Sequence, residues 1–94
     1  MTIEHQTGPT KGRFLMKEGE QVLGETTYSV AGTDKIIIDH TEGYPGSEGQ
    51  GVGRKLVMAA VEYARAHGLK IIPLCPFARS VFDRNAAELA DVRA

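Results

Sequence analysis

The chain has 94 residues, a formal net charge of −1 at neutral pH and a single cysteine. This length predicts one domain, residues 1–94, with a modest core. The near-neutral charge argues against nucleic-acid binding, and one cysteine excludes an internal disulfide and fits a reducing compartment. No signal-peptide pattern and no apolar run of the ~20 residues that span a bilayer is present, so we expect a cytoplasmic protein without a membrane partner.

The first half of the chain predicts an antiparallel meander of three strands. Residues 1–10 are polar, so we expect a loosely ordered start to the chain. Short apolar or alternating runs then predict strands at residues 13–16, 21–30 and 35–41. The turns between them are short, and short turns favour antiparallel pairing of consecutive strands.

The second half predicts a helix, a parallel strand and short C-terminal helices. Apolar residues at helical spacing place a long helix at residues 51–67, and Gly68 ends it as a left-handed cap. The run 69–74 predicts a fourth strand, which a right-handed crossover places parallel to the third. The expected fold is therefore α/β with a mixed sheet, in which ligands bind at the carboxyl ends of the parallel strands.

A glycine-rich segment, Gly49-Gln50-Gly51-Val52-Gly53-Arg54-Lys55, joins the third strand to the long helix. Glycines let the backbone approach a ligand, and the start of a helix offers unpaired N–H groups at the positive end of a dipole. The segment therefore predicts a phosphate or diphosphate site. Arg54 and Lys55 support this, since cations in the first helical turn cost roughly 0.3–1 kcal/mol each unless an anion is bound. The alternative is a flexible connector with both cations extended into water.

The loop does not match two well-known nucleotide motifs. A Walker loop requires Ser or Thr directly after the lysine, but Leu56 follows Lys55. A dinucleotide-binding loop requires a third glycine where Arg54 or Leu56 stands, and residues 69–72 carry no acidic residue for a ribose. Nucleotide hydrolysis and nicotinamide binding are therefore disfavoured.

Cys75-Pro76 follows the fourth strand. Proline is favoured at the first position of a helix, so Cys75 is predicted to cap a second helix at residues 76–84. A helix N-terminus favours the thiolate form of a cysteine, which makes Cys75 a candidate nucleophile, proton donor or contact for a ligand's thiol. The alternative is a small buried apolar residue, the commoner role of a single cysteine. The residues alone leave both hypotheses open.

His40 and Glu42 stand at the end of the third strand and are candidate proton acceptors. The two-residue period of a strand places both on the same face as Ile36 and Ile38. The alternatives are a hydrogen-bonded histidine at a strand end and a solvated carboxylate. His5 shows no partner in the sequence and is expected at the surface, and the spacing of cysteine and histidines predicts no metal site.

The same segments resemble one protein family. His40-Thr41-Glu42, the loop from Gly49 to Gly53, and Pro73-Leu74-Cys75-Pro76-Phe77 are similar to the small single-domain GNAT-related acetyltransferases, a minimal version of the acyl-CoA N-acyltransferase superfamily. Further matches along the long helix are Leu56-Val57, Ala60, Tyr63-Ala64-Arg65 and Gly68. The resemblance covers about residues 12–91, and the His-Thr-Glu and Pro-Leu-Cys strand ends are its most specific parts.

The resemblance implies a ligand. Members of the family bind acetyl-CoA, with the diphosphate on the amides of a segment that matches residues 50–54 and the pantetheine arm between two splayed parallel strands. It implies contacts to that arm from Thr41 and Glu42, with Cys75 near the thioester, and Lys55 or Arg84 near the 3′-phosphate. The expected cofactor-binding residues are Thr41, Glu42, Gly49, Gln50, Gly51, Val52, Gly53, Arg54, Lys55, Cys75, Phe77 and Arg84, and the expected catalytic residues are Cys75, His40 and Glu42.

The expected activity is transfer of an acetyl group from acetyl-CoA to a primary amine, without a metal. An amine with a pKa of about 10.4 is protonated at neutral pH, so a base must remove its proton. His40 is the first candidate because histidine changes charge near neutral pH, and Glu42 is the second. Cys75 then protonates the departing thiolate or accepts the acyl group transiently, and the sequence leaves both roles open. It does not identify the acceptor, and the chain is expected to be a monomer or a weak homodimer.

Three departures from the family pattern bear on this expectation. Glu48 stands where the superfamily loop usually opens with Gln or Arg, Gly43 replaces a valine, and Ala86-Ala87-Glu88-Leu89 replaces His-Pro-Glu-Tyr. The last change favours an alternative, a non-catalytic module that binds acyl-CoA. A third hypothesis is a small interaction domain in which the glycine loop is only a connector.

Overall fold

The computed structural model describes residues 1–94 and contains one five-stranded mixed sheet. The strands are β1 (Thr2–Thr7), β2 (Lys11–Glu18), β3 (Gln21–Ala31), β4 (Lys35–Gly43) and β5 (Lys70–Pro73). They pair in chain order, the first four as an antiparallel meander and β5 in parallel with β4. The predicted mixed α/β fold is confirmed, with one strand more than the sequence predicts.

Three helices complete the fold, namely α1 (Val52–His67), α2 (Pro76–Arg84) and α3 (Ala86–Leu89). Gly51 and Gly68 bound α1 in the left-handed conformation, each with a φ of 66°, which glycine adopts without steric cost. Cys75 is the N-cap of α2 and Pro76 is its first residue, as predicted. None of the three helices combines the length and the apolar run that a membrane crossing requires.

The helices share one apolar core with a single face of the sheet. Leu56, Ala60 and Ala64 recur at helical spacing on α1 and are 0% exposed. The same core contains Ile38 from β4 and Phe82 from α2, and full burial of such a side chain contributes about 1.5–3 kcal/mol. The opposite face of the sheet carries mostly polar side chains that stay partly or largely exposed. This second face, called the open face below, is the one that no helix covers.

Residues 2–7 form a strand, so the predicted loose start is wrong for this part of the chain. β1 pairs with β2 along its whole length. His5, expected at the surface, is half-buried instead, with Nε2 2.7 Å from the Tyr28 hydroxyl and its ring centroid 4.0 Å from that of Phe14 in an edge-on contact. A histidine in a polar run gives no hydrophobic signal, so this anchor becomes visible only in the folded chain.

A β-bulge interrupts β4. In the pairing with β3, Tyr28 lies opposite Ile38, but the neighbouring Thr27 lies opposite His40. Asp39 is therefore an extra residue on β4 that has no partner on β3.

The bulge overturns the predicted orientation of His40 and Glu42. Directly opposed residues of an antiparallel pair point to the same face, so Thr41, opposite the buried Thr26, faces the helices. His40 and Glu42 point to the open face, opposite to Ile38. The prediction assumed an unbroken two-residue period, which one inserted residue reverses.

Acidic pH is expected to destabilise the fold through His5. Burial, and secondarily the charge of His67, lowers the pKa of His5 below its ordinary value of 6.5. Between the folded-state pKa and 6.5, the unfolded chain binds more protons than the folded chain, so the free energy of unfolding decreases as the pH falls through this window. Urea unfolding of the wild type and His5→Gln from pH 8 to pH 5 measures the effect, because glutamine keeps a partner for Tyr28 but does not titrate.

The wild-type stability should fall more steeply below pH 7 than that of His5→Gln. At pH 8 both side chains are neutral, so any difference there reports packing alone. Parallel pH profiles of the two proteins would contradict the assignment to His5.

Candidate active site

β4 and β5 separate where β5 ends, which opens a gap in the sheet. Ile38 and Pro73 are the last paired residues. Beyond them the N–H groups of Leu74 and Cys75 both donate to the Ile38 carbonyl, at 3.2 and 3.0 Å, and the chain turns into α2. β4 continues to Gly43 with no strand on this side, so its outward backbone groups are available to a ligand.

Thr41 and Cys75 meet across this gap. Thr41 Oγ1 lies 3.4 Å from Cys75 Sγ and 2.8 Å from Thr26 Oγ1. The Ala78 N–H donates to Cys75 Sγ at 3.3 Å, so the thiol caps α2 with its side chain. Cys75 is 5% exposed. It is thus buried, as the alternative of a small apolar residue expected, and it also contacts polar groups at the gap, while its catalytic role stays a prediction.

The glycine loop before α1 presents a row of unpaired backbone donors. The N–H groups of Val52, Gly53 and Arg54, the first three of the helix, have no acceptor within the chain, and no side chain caps the helix. Gly49 and Gly51 have φ values of 79° and 66°, a region that strains other residues. A helix start with these features is suited to hold an anion.

A recess of about 250 Å³ connects the loop with the gap. Its lining residues come from the end of β4, the loop and the starts of α1 and α2, and they are Thr41, Gly43, Tyr44, Ser47, Glu48, Gly49, Gly51, Val52, Gly53 and Phe77. The structure therefore brings the predicted Thr41, Phe77 and loop glycines together around one space.

Two glycines allow these parts to approach each other, and one of them, Gly24, is not among the residues predicted from the sequence. A Cβ at Gly53 would lie 2.8 Å from the Phe77 ring, so this glycine seats Phe77 against α1. A Cβ at Gly24 in β3 would lie 2.6 Å from the Glu42 carbonyl oxygen and 2.7 Å from Val52 Cγ1. Gly24 therefore lets the start of α1 pack on the sheet, and an isolated glycine within a strand is the signal that indicates such a contact.

The turn before the loop holds Glu48, the acidic departure from the family pattern. Glu48 Oε1 accepts a hydrogen bond of 3.0 Å from the Gly46 N–H, yet the residue also lines the recess. Ser47, to which the sequence analysis gave no role, is 6% exposed and donates from Oγ to the Tyr44 carbonyl at 2.6 Å. Burial raises the pKa of Tyr44, and nearby carboxylates raise it further. The turn is therefore fixed by hydrogen bonds and holds one negative charge beside the candidate anion site.

His40 and Glu42 form a pair on the open face. His40 Nε2 lies 3.0 Å from Glu42 Oε1, and the two side chains are 56% and 52% exposed. The structure thus joins the predicted catalytic residues in separate contacts on opposite faces of β4. Cys75 meets Thr41 on the helix side, and His40 meets Glu42 on the other.

A second recess, of about 520 Å³, lies on the open face next to the bulge. It is polar, and its lining residues are Gln6, Thr7, Gly8, Lys11, Gly12, Arg13, Thr27, Tyr28, Ser29 and Asp39. The Asp39 carboxylate accepts a hydrogen bond of 2.7 Å from Ser29 Oγ. Since Thr27 pairs with His40, this recess adjoins the His40–Glu42 pair.

The remaining predicted binding residues lie outside the loop recess. Gln50, Arg54 and Lys55 are exposed, and the two cations border an apolar groove between α1 and β1. Arg84 lies in the last turn of α2, roughly 12 Å along the helix axis from Pro76. Their contacts with a ligand stay predictions. No group of three or more His, Cys, Asp or Glu side chains is placed to hold a metal ion.

The segment Ala86–Leu89, which departs from the family pattern, lies far from the glycine loop. It forms α3, and its Leu89 is buried in the core. Arg65 donates to the Glu88 carbonyl at 2.9 Å and pairs with Asp91 at 2.9 Å. Arg65 is in the last turn of α1, ~20 Å along the helix from its start. This departure therefore leaves the loop recess unchanged.

The family is established by comparison with known proteins. The model of the GCN5-related N-acetyl-transferase family matches residues 13–92. The chain belongs to this family of acyltransferases, which confirms the family predicted from the sequence. No curated protein matches the chain at a significant level.

Solved structures are similar over most of the chain. A GCN5-like protein from Staphylococcus aureus, solved by NMR, is 37% identical, with a TM-score of 0.69 over 97% of this chain and 87% of that one. An aminoglycoside acetyltransferase from an uncultured soil metagenomic sample, solved with sisomicin, is 15% identical, with a TM-score of 0.65 over 85% of this chain and 57% of its own. An IAA acetyltransferase from Bacillus cereus is 19% identical, with a TM-score of 0.61 over 80% and 53%. The last two share the fold alone.

Gly24→Ala is expected to lower the free energy of unfolding by about 1–3 kcal/mol, the usual cost of overpacking. The new Cβ would clash with the backbone of Glu42 and with Val52, so the start of α1 must move. Gly43→Ala is the matched control, because Gly43 lies directly opposite Gly24 and a Cβ there would meet only Ser47 Oγ, at 3.4 Å. Urea unfolding measures both, and equal losses would contradict a specific role for Gly24.

Proposed function

We propose that this protein transfers an acetyl group from acetyl-CoA to a primary amine. The observation that carries the proposal is a single recess that leads from the unpaired N–H groups of α1 to Thr41, the residue in contact with Cys75. A diphosphate and a thioester, the two chemically distinct parts of acetyl-CoA, would match these two ends. Membership of the GCN5-related N-acetyl-transferase family supports the choice of donor.

The loop fits a diphosphate. The N–H groups of Val52, Gly53 and Arg54 would donate to its oxygens at the positive end of the α1 dipole. A Cβ at Gly49 or Gly51 would meet no atom within 4 Å, so the backbone at these positions is uncovered. An anion there would also offset the cost of basic residues in a first turn that has no acidic residue.

The open edge of β4 fits an extended arm that carries amides. Beyond Ile38 no residue of β5 pairs with β4, so the amides of pantetheine would hydrogen-bond there as an added strand does. Thr41 would lie along the arm and Cys75 at its thioester end. When bound, acetyl-CoA supplies an acyl group that is activated as a thioester.

Two groups, one on each face of β4, would transfer the protons of the reaction. On the open face, His40 takes a proton from the ammonium of the acceptor, directly or through water, and Glu42, 3.0 Å away, stabilises the imidazolium. On the helix face, Cys75 would lie where the sulfur departs. Because the gap separates β4 from β5, a group in it is accessible from both faces. The polar recess beside the bulge would admit the acceptor.

Replacing His40 tests this function. His40→Ala is expected to lower turnover by about 10²-fold or more, the usual contribution of a general base, while the Kd for CoA changes less than about twofold. The Kd should hold because His40 does not line the loop recess. Acetyl-CoA consumption with a panel of amines gives the turnover, and calorimetry gives the Kd. His67→Ala is the control, since His67 is exposed at the far end of α1.

The outcomes separate the hypotheses. Absence of heat with CoA and acetyl-CoA would contradict the proposed donor and favour an interaction domain. Binding without turnover on any amine would favour a non-catalytic acyl-CoA module. Full turnover in His40→Ala would remove His40 as the base and leave Glu42.

Glu48→Gln is expected to tighten CoA binding. The carboxylate lines the recess where the diphosphate would bind, whereas a glutamine still accepts the hydrogen bond from Gly46. Two charges about 4 Å apart in water interact by ~1 kcal/mol, which corresponds to roughly fivefold in Kd. The gain should shrink in high salt, because salt screens the repulsion. Glu20→Gln, in an exposed turn, is the control, and a Kd for Glu48→Gln no lower than the wild-type value would contradict the prediction.

A further inference from the structure

A hydrogen-bond chain runs from Cys75 into the sheet. Cys75 Sγ lies 3.4 Å from Thr41 Oγ1, and Thr41 Oγ1 lies 2.8 Å from Thr26 Oγ1. Thr26 Oγ1 donates to the His40 carbonyl oxygen at 3.0 Å. Thr26 is 0% exposed, and no buried side-chain nitrogen or oxygen in the protein lacks a partner. The chain is therefore complete within the protein.

The carbonyl at the end fixes the direction of every bond. A carbonyl oxygen only accepts, so the Thr26 hydroxyl uses its one proton on His40. Thr26 then accepts the proton of Thr41, and Thr41, whose proton is used, accepts from the S–H of Cys75. Three protons serve three contacts, and no other assignment makes all three hydrogen bonds.

We propose that Thr26 is a positioning residue that acts through Thr41 to hold Cys75 as a thiol, with its proton directed to Thr41. Loss of that proton leaves Thr41 without its donor. If Thr41 instead donates its own proton to the thiolate, no proton remains for a hydrogen bond between Thr41 and Thr26. The chain therefore favours the thiol and opposes the Ala78 N–H, which favours the thiolate at the start of α2.

This inference rests on the proposed function for its chemical consequence, which is a choice between the two roles left open for Cys75. A thiol held in this way donates a proton. The Cys75 S–H bond breaks, an S–H bond forms on the departing coenzyme sulfur, and that sulfur keeps the electron pair of the broken thioester bond. The Cys75 thiolate then takes a proton from water. Acylation of Cys75 is disfavoured to the same extent, since the attack on a thioester requires a thiolate.

The test follows the titration of Cys75 by NMR in the ligand-free protein, through the ¹³Cβ signal of the single cysteine. Thr26→Val keeps the shape of the side chain but removes the hydroxyl, which frees Thr41 to donate to Sγ. At a fixed pH below the titration midpoint, the thiolate fraction should rise about tenfold, a displacement of one pH unit. Thr26→Ser keeps the hydroxyl and should titrate like the wild type.

The same substitution made in the Thr41→Val protein separates a positioning role of Thr26 from a general structural effect. Because Thr26 acts on Cys75 only through Thr41, adding Thr26→Val to Thr41→Val should leave the thiol titration unchanged. No effect of Thr26→Val in the wild type, or an equal effect in both backgrounds, would overturn the proposal. If Thr26→Val does not fold, Thr26→Ser and Thr26→Ala replace it, since they differ only in the hydroxyl.

The charged groups on the surrounding elements are the same in every variant. Arg79 of α2 donates to the Leu74 carbonyl at 3.2 Å, and the His40–Glu42 pair lies on the opposite face of β4. The titration requires neither CoA nor an acceptor. If the protein binds CoA and turns over but Thr26→Val leaves the titration of Cys75 unchanged, this inference alone is overturned. If Thr26→Val changes the titration but the protein neither binds CoA nor turns over, the proposed function alone is overturned.

Discussion

The end of the β4–β5 ladder at Ile38 is the constraint on which the site depends. One carbonyl there accepts the N–H groups of both Leu74 and Cys75, so the chain leaves the sheet and begins α2 with the thiol at its start. The bulge at Asp39 follows immediately and shifts the alternation of β4 by one residue. If β4 kept an unbroken two-residue alternation through Asp39, His40 would face the helices and Thr41 the open face. The ladder end opens the gap, and the bulge decides which side chain meets the thiol.

Polar groups inside the core are tolerated here because each has a partner. Burying a hydroxyl without a hydrogen bond costs roughly 1–3 kcal/mol, yet the hydroxyl of Thr26, which is 0% exposed, forms hydrogen bonds to both His40 and Thr41 of β4. The contacts of His5 on β1 follow the same rule, since the Tyr28 hydroxyl lies 2.7 Å from His5 Nε2. Burial and the neighbouring Tyr63 raise the pKa of Tyr28 to about 12. Polar anchors thus hold both the site and the edge strand.

Local periodicity predicted the parts of the fold that depend on short-range patterns. The helix predicted at residues 51–67 is Val52–His67, and the capping of α2 by Cys75 follows from Pro76 alone. The edge strand β1 was not predicted because its partners are on β2 and the side chain that anchors it is a histidine, which gives no hydrophobic signal. The bulge was not predicted because the sequence does not show which residue of β4 lacks a partner on β3, and the wrong orientation of His40 followed from that.

Only part of the candidate site could be predicted from the sequence, for a similar reason. The loop glycines, Thr41 and Phe77 were identified and line one recess, since motif and resemblance both point to them. Thr26 and Gly24 were not, because their roles arise from neighbours that are distant in the sequence. A threonine within a strand is an ordinary β-forming residue until its partner across the sheet is known. Residues that position a site through another residue are therefore the hardest to predict.

The two faces of β4 give the proposed acid and base different access to water, and this difference suits their roles. The His40–Glu42 pair is more than half exposed, so a proton taken from an acceptor can pass to solvent after each turnover. Cys75 is 5% exposed and contacts Thr41, so in the proposed reaction its proton would pass to the departing thiolate in the gap and not to bulk water. Because Thr41 points to the helix side and His40 to the open face, the backbone of β4 lies between the proposed acid and the proposed base.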